Sequence, residues 1–182
     1  MRPYHYEHRK GVQRITWARF EALCRTLTEE LAREPLEIII GNARAGLFPA
    51  TALACALGCE LFPVRLTRRR NEDVVQPHPV WKVDVMTVVA GRDVVVVDEI
   101  ADTGETLALL KQRCLELGAR HVRTACLVAH SWSDPPPDAA ALVSDALVIF
   151  PWNTLAYRDG EWIQPPEISQ ALAAQSKHSP NG

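Results

Sequence analysis

Two nucleotide-binding signatures are missing from this chain of 182 residues. No Gly-x-x-x-x-Gly-Lys-Ser/Thr is present, which removes the phosphate loop of nucleoside-triphosphate hydrolases. No Gly-x-Gly-x-x-Gly follows the first apolar strand, so a dinucleotide-dependent dehydrogenase has no support. No apolar run approaches the roughly 18–20 residues that would cross a bilayer. Excess charge of one sign is absent too: 20 Lys and Arg face 22 Asp and Glu, a formal net charge of -2. No global field therefore draws the chain to nucleic acid or to an anionic membrane, and a polyanionic ligand must be held by local groups. The five cysteines, Cys24, Cys55, Cys59, Cys114 and Cys126, form no framework. Cys55 and Cys59 are four apart, yet no second pair completes a zinc set. An odd, scattered count points to a reducing compartment. Met1 to Lys10 is polar and aromatic, unlike a secretory leader. The expectation is a cytoplasmic protein with neither nucleic acid nor membrane as partner.

What is present alternates between strand and helix patterns. Trp17, Phe20, Leu23, Cys24, Leu27 and Leu31 recur at helical spacing over 16–33, with Thr16 as candidate N-cap. Leu36 to Ile40 reads as a buried strand, 47–57 as a helix stopped by Gly58, and Leu61 to Leu66 as another strand. Between Thr67 and Arg92 the pattern degrades, with a strand suggested around Val83 to Val89. Val94 to Val97 is a fully apolar β-branched strand. A polar turn follows it, then a helix over Thr106 to Leu117 ended by Gly118. His121 to Ala129 is a strand, 134–138 a proline loop, and Ala146 to Phe150 a late strand. Such alternation predicts an α/β fold, a mostly parallel twisted sheet flanked by helices. We read one domain over 1–182, with a core of about 12–155, a small irregular hood region and a disordered tail at 175–182.

In open parallel sheets, ligands sit beyond the carboxyl ends of the strands. The strand Val94–Val97 runs into Asp98-Glu99-Ile100-Ala101-Asp102-Thr103-Gly104-Glu105-Thr106. Successive backbone N–H groups, two hydroxyls and a helix N-terminus suit a phosphate monoester, and Gly104 permits close backbone approach. Taken alone, the turn is equally compatible with two solvated acids and a routine cap at Thr106, because acids at a helix start are favourable anyway.

The full string narrows this. It resembles the 5-phosphoribosyl-1-pyrophosphate (PRPP) motif of type I phosphoribosyltransferases: apolar strand, two acids, variable residues, then Thr-Gly-x-Thr. Ile38 to Leu47 resembles that family's pyrophosphate loop, a basic residue before two glycines, with Ala45 replacing the first glycine. The opening Ile15-Thr16-Trp17, the stretch Cys126 to Trp132 and the ending Ile149-Phe150-Pro151-Trp152 are similar to small microbial and archaeal hypoxanthine, guanine and xanthine enzymes. The resemblance implies the type I, Rossmann-like fold and transfer of the 5-phosphoribosyl group from PRPP to a nitrogenous base, with release of pyrophosphate. It implies Mg²⁺ near Asp98 and Glu99, the same acids on the ribose hydroxyls, and Asp102 relaying the acceptor's proton. It places the 5′-phosphate on residues 102–106, Asp102, Thr103, Gly104, Glu105 and Thr106, counts Ala101 among the PRPP-binding residues, and puts pyrophosphate on Arg44, Ala45 and Gly46. Arg65, Arg68, Arg69 and Arg70 fall where relatives carry a mobile loop, although a charge run is as readily a solvated turn. A homodimer or homotetramer is the family expectation.

On the acceptor side the chain departs from the pattern. His130 stands where a lysine donates to the purine 6-oxo group, and Leu147, beside Val148, where an aromatic stacks on the base. Trp132 is a candidate cover for the base, and Trp152 reads as packing. Three functions therefore stay open: purine transfer, transfer to another acceptor, and a non-catalytic PRPP-binding regulator.

Overall fold

The computed structural model describes residues 9, 11–70, 73–74, 76 and 78–176. In chain order these form β1 (Val12–Arg14), α1 (Trp17–Leu31), β2 (Ile38–Asn42), α2 (Leu47–Leu57), β3 (Glu60–Thr67), β4 (Arg69–Arg70), β5 (Asp73–Val74), β6 (Val80–Val83), β7 (Asp93–Ala101), α3 (Glu105–Glu116), β8 (His121–Ala129), β9 (Ala139–Val143), β10 (Leu147–Ile149), β11 (Ala156–Arg158), β12 (Glu161–Ile163) and α4 (Pro166–Ser176). Two compact units result, one over 21–144 and one from the residues up to 20 together with those from 145 on.

The larger unit is built on a six-stranded sheet of order β6-β3-β2-β7-β8-β9. All neighbours run parallel except β3 with β6. The β2 and β7 side chains are buried along both faces, as expected for parallel strands covered by helices on each side. Period-two alternation sorts them. Ile38, Ile40, Val94 and Val96 share a core with Leu107, Leu110 and Cys114 of α3. On the other face α2 closes in at Gly41, where a Cβ would lie 2.8 Å from both Ala50 and Leu47 side-chain carbons. Gly41 pairs with Val97. The turn after β2 and the acids after Val97 consequently emerge along one edge of the sheet.

The smaller unit pairs β1 with β10 in parallel and adds the antiparallel β11–β12 ribbon. Leu147, Ile149, Ile168 and Ala171 form its core. Trp152 stacks on Phe150 with centroids 4.8 Å apart and meets the edge of Phe20, so it packs as expected.

Local punctuation follows the sequence closely. Thr16 Oγ1 accepts the Arg19 amide, and Gly58 and Gly118 end their helices with φ of 68° and 87°. Elsewhere the structure differs. β7 continues through both acids to Ala101, because its pairing with β8 persists from Asp98↔Cys126 to Ala101↔Ala129. The suggested Val83–Val89 strand is instead β6 plus a 3-10 turn over Thr87–Val89. β9, rich in alanine, has a weak strand signal and is recruited by the open edge of β8. The expected disordered tail is corrected at its start: α4 extends to Ser176, and 177–182 lie outside the described residues. Cys24, Cys114 and Cys126 are buried. Burial pushes their thiols up to about 11, about 12 and about 12 respectively, as befits small core hydrophobes.

Candidate active site

The pyrophosphate-loop candidate is a turn between β2 and α2. The Ala43 amide donates to Val64 O, while Leu47 and Phe48 donate back to Arg44 O and Ala45 O. The amides of Arg44, Ala45 and Gly46 make no hydrogen bond among the described residues. Arg44 is exposed and Gly46 buried. The Ala43–Arg44 peptide is cis. Ala45 replaces a glycine at no conformational cost: Asp159 alone among the described non-glycine residues has positive φ. Gly46 is indispensable, since a Cβ there would lie 2.6 Å from Asn42 O and 2.7 Å from Asp98 Oδ1. The turn thus rests directly against the first acid.

Asp98 is 8% exposed, and its carboxylate is held from two sides. Asn42 Nδ2 donates to Oδ2 at 2.7 Å and the Glu99 amide donates to Oδ1 at 2.9 Å. Glu99, one residue on, is half-buried. The two acids therefore differ: one is fastened into the sheet, and the next is nearer to solvent. Sequence reading singled out both acids but gave Asn42 no role. Its only signal was a polar residue ending an Ile-Ile-Ile-Gly strand.

The second turn, 102–104, leads into α3. Gly104 caps the helix with φ 83°, in the left-handed region. A Cβ at Gly104 would lie 2.1 Å from Pro135 O, so glycine is required twice over. The Ala108 amide closes on Gly104 O. The amides of Thr103 and Gly104 make no hydrogen bond among the described residues, and that of Glu105 reaches only Thr103 Oγ1 at 3.4 Å. A helix N-terminus with such amides is an anion cradle. The cap residue is Gly104, without a side-chain cap bond, and Thr103 Oγ1 is engaged only through that long contact.

A loop of the same unit braces this turn from behind. The His130 amide donates to Ala101 O, Ser133 Oγ to Ala101 O and Asp102 O, and the Asp134 amide to Thr103 O. Trp132 Nε1 donates to Asp102 Oδ1 at 3.2 Å. Its indole stacks on His130 with centroids 4.4 Å apart and 15° between planes. His130 is buried, and its Nδ1 lies 2.5 Å from Ser144 O; a carbonyl only accepts, so this nitrogen carries a proton. His130, Trp132 and Asp102 are brought together. Leu147 and Val148 belong to the smaller unit, and Leu147 is committed to its core.

Of the basic cluster, Arg68 Nε donates to Gln76 O, and Arg65 Nε is buried with no partner among the described residues. Arg69 and Arg70 form β4, and their side chains lie outside what is described. Sequence reading missed His78, whose Nδ1 lies 2.8 Å from Glu105 Oε1 and ties this arm to the start of α3.

Among the described residues no group of three or more His, Cys, Asp or Glu is arranged to hold a metal by itself. Asp98 and Glu99 supply only hard oxygen donors, beside amides suited to a diphosphate. That set fits Mg²⁺, which keeps few protein carboxylates and takes the rest of its shell from substrate and water. No described helix is long and apolar enough to cross a membrane.

Comparison with known proteins gives the geometry a family. A purine phosphoribosyltransferase from Pyrococcus horikoshii superposes with a TM-score of 0.72 at 28% identity, over 82% of this chain and 99% of that one. The xanthine-guanine-hypoxanthine phosphoribosyltransferase of Helicobacter pylori shares the fold at 15% identity, with a TM-score of 0.61 over 80% of this chain and 93% of its own. So does a hypothetical protein from Neisseria gonorrhoeae with bound ppGpp, at 20% identity and a TM-score of 0.66, over 93% and 99%. The Methanosarcina barkeri transcriptional regulator GfcR 1 is 29% identical over 116 residues, 62% of this chain, which spans 56% of that regulator's length. Residues 15–159 match the phosphoribosyl transferase domain model, and on that match the chain belongs to the phosphoribosyl transferase domain family.

Proposed function

We propose that the protein transfers the 5-phosphoribosyl group of PRPP to a nitrogenous base, a purine of the hypoxanthine, guanine or xanthine type, and releases pyrophosphate. One observation carries the reading: the amides of 44–46 and of 103–104, unengaged among the described residues, belong to turns on either side of the acids Asp98 and Glu99, with Asp98 directly against Gly46. In this reading the first set holds pyrophosphate with Arg44. The second holds the 5′-phosphate with the Thr103 and Thr106 hydroxyls. Asp98 and Glu99 address the ribose hydroxyls and Mg²⁺, which when bound neutralises charge on the diphosphate. As the C1–oxygen bond to pyrophosphate breaks, positive charge grows on the ribose, and fixed carboxylates favour that state over the ground state. The base nitrogen attacks C1, and Asp102 takes its proton.

His130 and Trp132 beside Asp102 line the acceptor pocket. The arm bearing Arg65, Arg68, Arg69 and Arg70 closes over pyrophosphate and excludes water. The purine preference draws on the Pyrococcus relative. We further propose a cytoplasmic homodimer or homotetramer. A regulatory reading is favoured by one finding, the likeness to a transcriptional regulator.

Purified protein incubated with PRPP, Mg²⁺ and a panel of bases, with nucleotide followed by mass, tests these ideas. Nucleotide from an oxopurine is expected, and product from another base alone moves the acceptor. Tight PRPP binding with no product from any base favours a regulator. Absence of PRPP binding removes the reading.

A further inference from the structure

The ends of β3, β2 and β7 are tied together by one side chain. Asn42 is 6% exposed, and both ends of its amide are used. Nδ2 donates to Asp98 Oδ2 at 2.7 Å, and Oδ1 accepts the Leu66 amide at 3.0 Å. Leu66 sits where the β3–β6 register shifts, between Arg65 and Leu66. The Leu66 amide thus turns to a side chain at an irregular step of the ladder. On its other side Asp98 meets the Gly46 turn at a distance that admits no Cβ. Nothing in a buried, doubly satisfied amide can rotate without leaving a buried donor or acceptor unmet.

We propose that Asn42 is a positioning residue of the PRPP site: through Asp98 it sets the acid pair and the Gly46 turn in register, so that the pyrophosphate end and the ribose end of the ligand are recognised as one rigid unit. This rests on the PRPP reading above. Asn42 touches no reacting atom. It acts through a carboxylate whose own orientation it holds, and preorganisation of that kind is what converts contacts into affinity. The same side chain in a merely structural role would affect folding and leave ligand affinity alone.

A double-mutant cycle separates these possibilities. Asn42→Asp keeps an acceptor for the Leu66 amide but replaces the donor to Asp98 with a facing carboxylate. Titration calorimetry with PRPP and Mg²⁺ on the full chain is expected to show affinity lower by about 10- to 100-fold, the scale of one unmet buried charge. In the Asp98→Asn background the same substitution restores a donor–acceptor pair of reversed polarity. There Asn42→Asp is expected to cost less than about 3-fold, a coupling larger than independent sites show. The KM for the base is expected to stay within about 2-fold of wild type in Asn42→Asp, because the acceptor groups lie on another loop. Equal losses of PRPP affinity in both backgrounds would overturn the proposal. So would unchanged affinity in Asn42→Asp with only a lowered melting temperature. Should Asn42→Asp fail to fold, Asn42→Ser, which retains a small donor, enters the cycle on the same criteria. Wild-type protein that binds no PRPP removes the functional reading instead, so the two failures are distinguishable.

Discussion

Strand β7 carries an acid at its start and a pair of acids towards its far end, and the two regions live in different electrostatic company. At its start, Asp93 faces basic side chains: Arg120 binds it through Nε at 2.9 Å and through a second, shorter contact, and His121 Nδ1 lies 2.8 Å away. Glu37 joins the same network through Arg92 and Arg120. Towards its far end, Asp98 is held, among the described residues, by neutral donors, an amide side chain and a backbone N–H. A groove of about 490 Å³ lies at the Asp93 end, with Arg120 and His121 in its wall, yet those side chains are already engaged with Asp93. Charge satisfied internally stabilises. In the proposed reading, carboxylates beside amides that are unengaged among the described residues recognise a ligand. One strand separates the two tasks by its length.

The largest effect expected from breaking this contrast is chemical. Asp102→Ala should lower kcat by about 10²–10⁴-fold while PRPP affinity by calorimetry changes little, because general base catalysis acts on the transferring proton and not on the anion cradle. Gly104→Ala comes next. It forces left-handed φ on a residue with a Cβ, costing about 1–2 kcal/mol before the clash with Pro135 O is counted. Thermal denaturation should show a clear loss, and PRPP affinity should fall with it.

The smallest effect belongs to the opposite end. Hydrogen bonds from Arg120 first and His121 second hold the Asp93 carboxyl down at about 2. A depressed carboxylate contributes stability that is present above its unfolded value near 3.8 and lost as pH falls through about 2. Asp93→Asn should flatten the acid side of the stability curve between about pH 4 and pH 2. Its kcat should stay at the wild-type value. Altered turnover in that variant would show that the two ends are not separate.

Much of the proposed donor half was legible in the chain because it is local. An apolar run, two acids and Thr-Gly-x-Thr occupy consecutive positions, and backbone amides face outward wherever a strand gives way to a helix. The extent of β7 was not legible: carboxylates look like a strand end, yet pairing with β8 carries the ladder past them. The proposed acceptor half was harder. Asp102, His130 and Trp132 meet through an intervening helix and strand, and no spacing in the sequence announces that an indole N–H will find a carboxylate thirty positions earlier. The Asn42–Asp98 contact, spanning fifty-six positions, escaped for the same reason.

By itself, the order of residues determined the alternation of strands and helices, the glycines that stop or bend them, and the peptide groups offered to an anion. These follow from side-chain period and backbone sterics, which act over a few residues. Only the tertiary structure decided which acid is fastened and which lies nearer solvent, and which aromatic stacks on which imidazole. Those outcomes depend on hydrogen-bond partners that reach one another only after parallel strands, distant in sequence, lie side by side.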